Sequence, residues 1–182
     1  GLARFHVLDG RQYRDHQACP RFGRGGSNVV DDLKCPSRME PQRTLLGLDQ
    51  ENWLHAGLSA SRARWNIVAQ QLLMAQLDRK PGPEQKFWSD GWDGYPAARA
   101  RLLQAIAERK PANPLVIGGD VHFNCVADLK VDFDDPNAPV VATEFCGTSI
   151  TSQGPTQARL DLLRPENPHV RFASSEKRGY AV

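Results

Sequence analysis

The segment Leu115-Val116-Ile117-Gly118-Gly119-Asp120-Val121-His122 passes from a wholly apolar run to a carboxylate and an imidazole within one short stretch. Pro114 introduces the run, and its β-branched content predicts a strand. Continuous apolar runs of this length are typical of strands buried on both faces. The two glycines end it and let the backbone turn and come close to a ligand. Carboxyl ends of strands in open α/β sheets are where ligands bind. Asp120 and His122, one residue apart, can both reach one metal cluster. Carboxylate oxygen and neutral imidazole nitrogen are the donor mix that hydrolytic metal sites prefer. Taken alone, the pair better suits an Asp capping the next turn and a His packed in the core, because a metal site needs more ligands than two.

A second apolar run follows Pro139, Val140-Val141-Ala142-Thr143-Glu144-Phe145, and ends at Gly147. It places Glu144 inside a strand, where a carboxyl must be paired, neutral or bound to something. Residues 169–173 form a third strand candidate, and Arg178-Gly179-Tyr180 a possible return strand. Phe5-His6-Val7-Leu8-Asp9 reads as a short first strand. Upstream of the central stretch, Trp65, Val68, Leu72 and Ala75 follow 3-4-3 spacing, widened by Ile67, Leu73, Met74 and Leu77. This predicts a helix over 62–77, stopped by Lys80-Pro81-Gly82-Pro83. Asp49 is placed to cap a short helix from Gln50 to about Gly57, with Leu48 and Trp53 as a hydrophobic staple. Pro96 suits the first turn of another helix, carrying Ala98, Leu102 and Ile106 on one stripe and ending before Pro111. Helices mixed with buried strands indicate an α/β or α+β layered domain.

The chain has 182 residues, enough for one domain or a large piece of one. Its net charge of +2, with no cluster of Lys and Arg, gives no nucleic-acid-binding patch. No apolar run approaches the roughly 18 residues of a membrane span. The chain opens Gly1-Leu2-Ala3-Arg4, without Met and without a signal sequence, which fits a processed or truncated product. Residues 19–43 form a long irregular loop rich in Gly, Arg and Asp, bracketed by Cys19-Pro20 and Cys35-Pro36. A disulfide closing it is expected, since an irregular loop needs a staple, and would stabilise the fold by roughly 3 kcal/mol. The alternative is two free surface thiols. Cys125 and Cys146 read as small buried hydrophobes. There is no CxxC pair, G-x-S-x-G elbow or P-loop. Thr148, Ser149 and Ser152 could donate to an anion, although hydroxyls after a strand more often cap turns.

Six segments in order resemble the PhoD-like alkaline phosphatase/phosphodiesterase family of calcineurin-like metallophosphoesterases. They are Leu8-Asp9-x-Arg11-Gln12-Tyr13-Arg14, Leu46-Gly47 leading to Gln50-Glu51-x-Trp53-Leu54, Ala63-Arg64-Trp65-Asn66 through Ala69-Gln70-Gln71, Trp92-Asp93-Gly94-Tyr95-Pro96, Gly119-Asp120-Val121-His122, and Thr143-Glu144-Phe145-x-Gly147-Thr148-Ser149. The resemblance implies that residues 1–182 are the C-terminal part of a layered metallophosphoesterase β-sandwich flanked by helices. It implies hydrolysis of phosphomonoesters or phosphodiesters, calcium and iron as cofactors, and a periplasmic or extracellular location. Asp120 and His122 match the family's late metal-binding motif. Asp9, Arg11, Tyr13 and Glu144 are candidates for supporting the ligands or contacting phosphate. The family's early ligands belong to a preceding half, absent from these residues, which contain no G-D-x-x-D and no G-N-H-D. No catalytic residue is assigned within the chain itself, and the missing half is its expected partner. The competing expectation is a non-catalytic, independently folding piece that binds metal or phosphate, or an interaction domain.

Overall fold

Short runs of β-branched and apolar residues, separated by loops, set the frame of this protein. The computed structural model describes residues 1–23 and 25–180. Arg24 of the long loop, and Ala181 and Val182, lie outside the described residues. The elements run β1 (Ala3–Val7), β2 (Val29–Val30), α1 (Leu48–Ser59), β3 (Trp65–Ala69), β4 (Phe87–Trp88), α2 (Pro96–Arg109), β5 (Pro114–Gly118), β6 (Asn124–Lys130), β7 (Val140–Cys146), α3 (Gln157–Leu163) and β8 (Val170–Ser174). Six strands form one mixed sheet in the order β1-β3-β5-β7-β6-β8, and β2 and β4 make a separate antiparallel pair. The first four strands of the large sheet are parallel, and β6 runs antiparallel to both β7 and β8. The architecture is mixed α/β, as the pattern of elements predicts.

Alternation of side chains across the pleat gives the sheet two different faces. On one face His6, Asn66, Val68, Val116, Ala142, Glu144, Cys146, Cys125, Ala127 and Leu129 are buried. The apolar ones pack into a core shared with Leu54 and Leu58 of α1, Leu102, Leu103 and Ile106 of α2, and Leu160 of α3. The other face carries Phe5, Val7, Trp65, Ile117, Phe145 and Phe172, all exposed. The expectation that β5 is buried on both faces is therefore corrected. Val116 is buried, whereas Ile117 is 37% exposed, because no second layer covers that side among the described residues.

The largest departure lies at 62–77, where a helix is expected. Residues 65–69 are instead the parallel strand β3, and 70–78 form a buried irregular segment. The amides a helix would have satisfied internally find acceptors elsewhere. Leu72 N–H donates to the Gln70 side chain, Met74 and Ala75 N–H to the Glu144 carboxylate, Leu77 N–H to Asp93, and Asp78 N–H to Asn167. Leu72, Leu73, Met74, Ala75 and Leu77 are all buried, so the apolar spacing reflects burial on every side rather than one helical stripe.

Asp49 does not cap α1. The helix starts earlier, after Gly47 in the left-handed region (φ 75°), and Thr44 Oγ1 accepts the Leu46 and Gly47 amides. α2 begins at Pro96 as expected. Besides β3, four elements, β2, β4, β6 and α3, are absent from the sequence expectations, and residues 178–180 form no return strand. The 19–43 loop is closed by a Cys19–Cys35 disulfide, with Ala18 and Val30 packed beside it. Cys125 and Cys146 are free, buried and directly opposite each other on β6 and β7.

Candidate metal-binding turn

The loops leaving the carboxyl ends of β1, β3, β5 and β7 meet at one edge of the sheet, and amide side chains brace them. Gln71, after β3, accepts the Gly10 amide and donates to the Leu8 carbonyl. Gln50 of α1 accepts the Asp9 amide and donates to the Asp9 carbonyl. The Gly147 amide, after β7, bonds the Gly118 carbonyl at the end of β5.

On this braced edge the turn after β5 is strained. Asp120 (φ 70°) and His122 (φ 63°) both occupy the left-handed region without being glycine. Val121 N–H bonds the Gly119 carbonyl at 2.9 Å, closing a γ-turn around Asp120. Asp and His tolerate this region better than most residues, but each still costs of order 1–3 kcal/mol, and such strain concentrates at ligand clamps and active sites. His122 Nδ1 lies 3.0 Å from the Gln153 carbonyl. A carbonyl only accepts, so Nδ1 carries a proton, and in the neutral ring the lone pair is then on Nε2. A metal-ligating imidazole is held in this way by its other nitrogen.

Asp120 is not alone. Arg11 Nη2 donates to its Oδ1 at 3.0 Å, while Arg11 Nη1 donates to Asp90 Oδ2 at 2.6 Å. Asp90 is the hub of this cluster. It also pairs with Arg14 at 2.9 Å and accepts from Gln17 at 2.8 Å. Burial alone would raise the Asp90 pKa, but the hydrogen bonds from Arg11 and Gln17 and the charges of Arg11 and Arg14 outweigh it and hold it below the usual carboxylate range. Asp9 shapes the approach, since its Oδ1 accepts the amides of Gln12 and Arg11, and these two bonds depress its pKa.

The other sequence candidates lie elsewhere. Tyr13 packs against Gly47 and lines a hollow with Leu46, Leu48 and Gln50. Glu144 is fully buried on the helical face. Its two oxygens accept the Met74 and Ala75 amides at 2.7 Å each, and burial raises its pKa to about 7 against the pull of those amides. The Ser149 hydroxyl is used within its own loop, donating to the Ser152 carbonyl and accepting from Arg178. Sequence reasoning missed Gln17, Gln153 and Arg178. Asp90 gives no local signal of its role, because its partners Arg11 and Arg14 lie more than 70 residues away. No group of three or more His, Cys, Asp or Glu side chains comes together as a cation site among the described residues. Asp120 and His122 fit a metal as two donors of a larger set.

A mixed α/β sheet with donors at the carboxyl ends of its parallel strands thus defines the class of protein. A profile of PhoD-like phosphatases matches residues 1–182, and the chain belongs to the PhoD-like phosphatase family. It is 40% identical to alkaline phosphatase D of Bacillus subtilis (strain 168), in an alignment covering 98% of this chain and 30% of that protein. It is similar to a solved structure described as the structure of PhoD, with a TM-score of 0.84, 39% identity, and coverage of 98% of this chain and 33% of that one. The chain therefore spans about a third or less of the relatives it matches.

Proposed function

We propose that this chain supplies part of the active site of a metal-dependent phosphoesterase acting on phosphomonoesters or phosphodiesters, residues 1–182 being the C-terminal portion of its catalytic domain. The observation that carries this reading is the strained turn at the carboxyl end of β5, which holds a carboxylate residue and an imidazole residue, one residue apart, in the left-handed region and leaves the imidazole anchored through Nδ1. Asp120 and His122 would hold metal. A carboxylate suits a hard cation such as calcium, and an imidazole suits iron. When bound, such ions polarise phosphoryl oxygens and lower the pKa of a coordinated water. Arg11, with its planar fork anchored by Asp90 and bonded to Asp120, would contact a phosphate oxygen there. Asp9 fixes the backbone that presents Arg11.

The remaining ligands come from polypeptide corresponding to the rest of the relatives, and the exposed apolar face of the sheet is where that second layer packs. Its aromatic and aliphatic side chains, the uncovered side of β5, and the length of the relatives beyond this chain support the assignment. The Cys19–Cys35 disulfide favours an oxidising compartment, in keeping with a periplasmic or extracellular enzyme. No helix among the described residues is long and apolar enough to cross a membrane.

The test is hydrolysis of bis-p-nitrophenyl phosphate and p-nitrophenyl phosphate, with metal analysis, by the enzyme that carries this segment. Bound metal and turnover that are both lost in Asp120→Asn are expected. Turnover that survives the substitution unchanged removes Asp120 from the site.

A further inference from the structure

Arg178 follows β8 in the C-terminal segment, and its guanidinium spans the loop between β7 and α3. Its Nη1 donates to the Ser149 hydroxyl at 2.9 Å, the Ser152 carbonyl at 2.7 Å and, more weakly, the Ser149 carbonyl at 3.4 Å. Its Nη2 donates to the Thr151 carbonyl at 2.8 Å. The next residue, Gln153, presents its carbonyl to His122 Nδ1. The residue after that, Gly154, packs so closely on the His122 backbone that a Cβ there would lie 2.2 Å from the His122 carbonyl oxygen. The 149–154 segment is therefore gripped by one arginine on one side and lies against the candidate ligand on the other.

We propose that Arg178 is a positioning residue for His122. By clamping residues 149–152 it fixes the Gln153 carbonyl, which selects the Nδ1–H tautomer and aims Nε2 toward the metal side. The aiming of Nε2 rests on His122 being a metal ligand, as proposed above, whereas the choice of tautomer does not. Arginine suits this task because several carbonyls at different heights need a fork of donors, which the single ammonium of lysine covers only in part.

The experiment is nitrogen-15 NMR of the His122 ring in the full 182-residue chain, at a pH where the ring is neutral, followed by titration with Mn²⁺ read from the loss of the free ion's EPR signal. The wild-type ring is expected in the Nδ1–H form. Arg178→Ala should give a mixture of tautomers and bind Mn²⁺ about tenfold more weakly, as for other groups that orient a ligand. Arg178→Lys, which keeps charge and stem, should fall between the two and guards against loss of fold in the alanine variant. An unchanged tautomer and unchanged Mn²⁺ affinity in Arg178→Ala overturn the proposal. If Arg178→Ala redistributes the tautomer while His122→Ala leaves Mn²⁺ binding untouched, the clamp stands and the metal-ligand reading of His122 falls.

Discussion

On the helical face of the sheet, Val68, Val116, Cys125 and even the carboxyl of Glu144 are sealed, whereas on the opposite face Phe5 is 59% and Phe172 51% exposed. The two faces are similar in apolar content and differ in what covers them. α1, α2, α3 and the 70–78 segment close the first, and nothing among the described residues closes the second. An exposed apolar surface of this kind is the usual mark of an interaction site. The sheet is thus finished on one side and left ready for a partner layer on the other.

Removing the Glu144 carboxylate should do the most damage to the finished face. In Glu144→Ala the Met74 and Ala75 amides lose their acceptors, at about 1–3 kcal/mol each, and chemical denaturation should show a loss on the order of 4 kcal/mol. The same carboxyl gives a pH signature. Its pKa in the fold is raised to about 7, above the unfolded value, so its contribution to stability is fully present below the unfolded pKa. That contribution is lost as pH rises toward and through 7. Stability of the wild type relative to Glu144→Gln should accordingly fall between mildly acidic and neutral pH. A relative stability that rises across that window would mean the carboxyl is ionised at little cost.

Leu103→Ala, at a fully buried position of α2, should cost about 3 kcal/mol. Ile117→Ala, on the open face of β5, should cost under about 1 kcal/mol in this chain, since little burial is lost. Equal losses at the two positions would show that the open face is covered in solution. The smallest effect on stability should come from Phe145→Lys with Phe172→Lys. Here sedimentation velocity is the informative measurement, with concentration-dependent self-association of the wild-type chain diminished in the double variant.

Much of this was legible in local sequence. The runs around Val116 and Val141 are strands, Pro96 opens α2, and Cys19 is bonded to Cys35. The failures share a cause. Residues 72–77 look helical by spacing, yet their amides are claimed by Gln70, Asp93 and Glu144, the last two of which lie well outside the segment. β6 carries a period-two signal in Cys125, Ala127 and Leu129, but two of these are small, and pairing with β7 and β8 is what makes it a strand. At the candidate site, Asp120 and His122 stand out in the sequence because only Val121 separates them. Asp90 and Arg178 do not, because each acts on residues that only the folded chain brings near.

The four cysteines also divide the chain chemically. Thiol–disulfide exchange proceeds through a thiolate that can reach the sulfur it attacks. Burial pushes the Cys125 thiol up to about 12 and raises that of Cys146 as well, with the Glu144 charge adding to both. At neutral pH neither sulfur presents a reactive anion, and neither is open to solvent. Once folded, the protein can meet oxidants or a shuffling isomerase without its Cys19–Cys35 bond being scrambled from within, so correct pairing is protected by the core and not only by the geometry of the bridged loop.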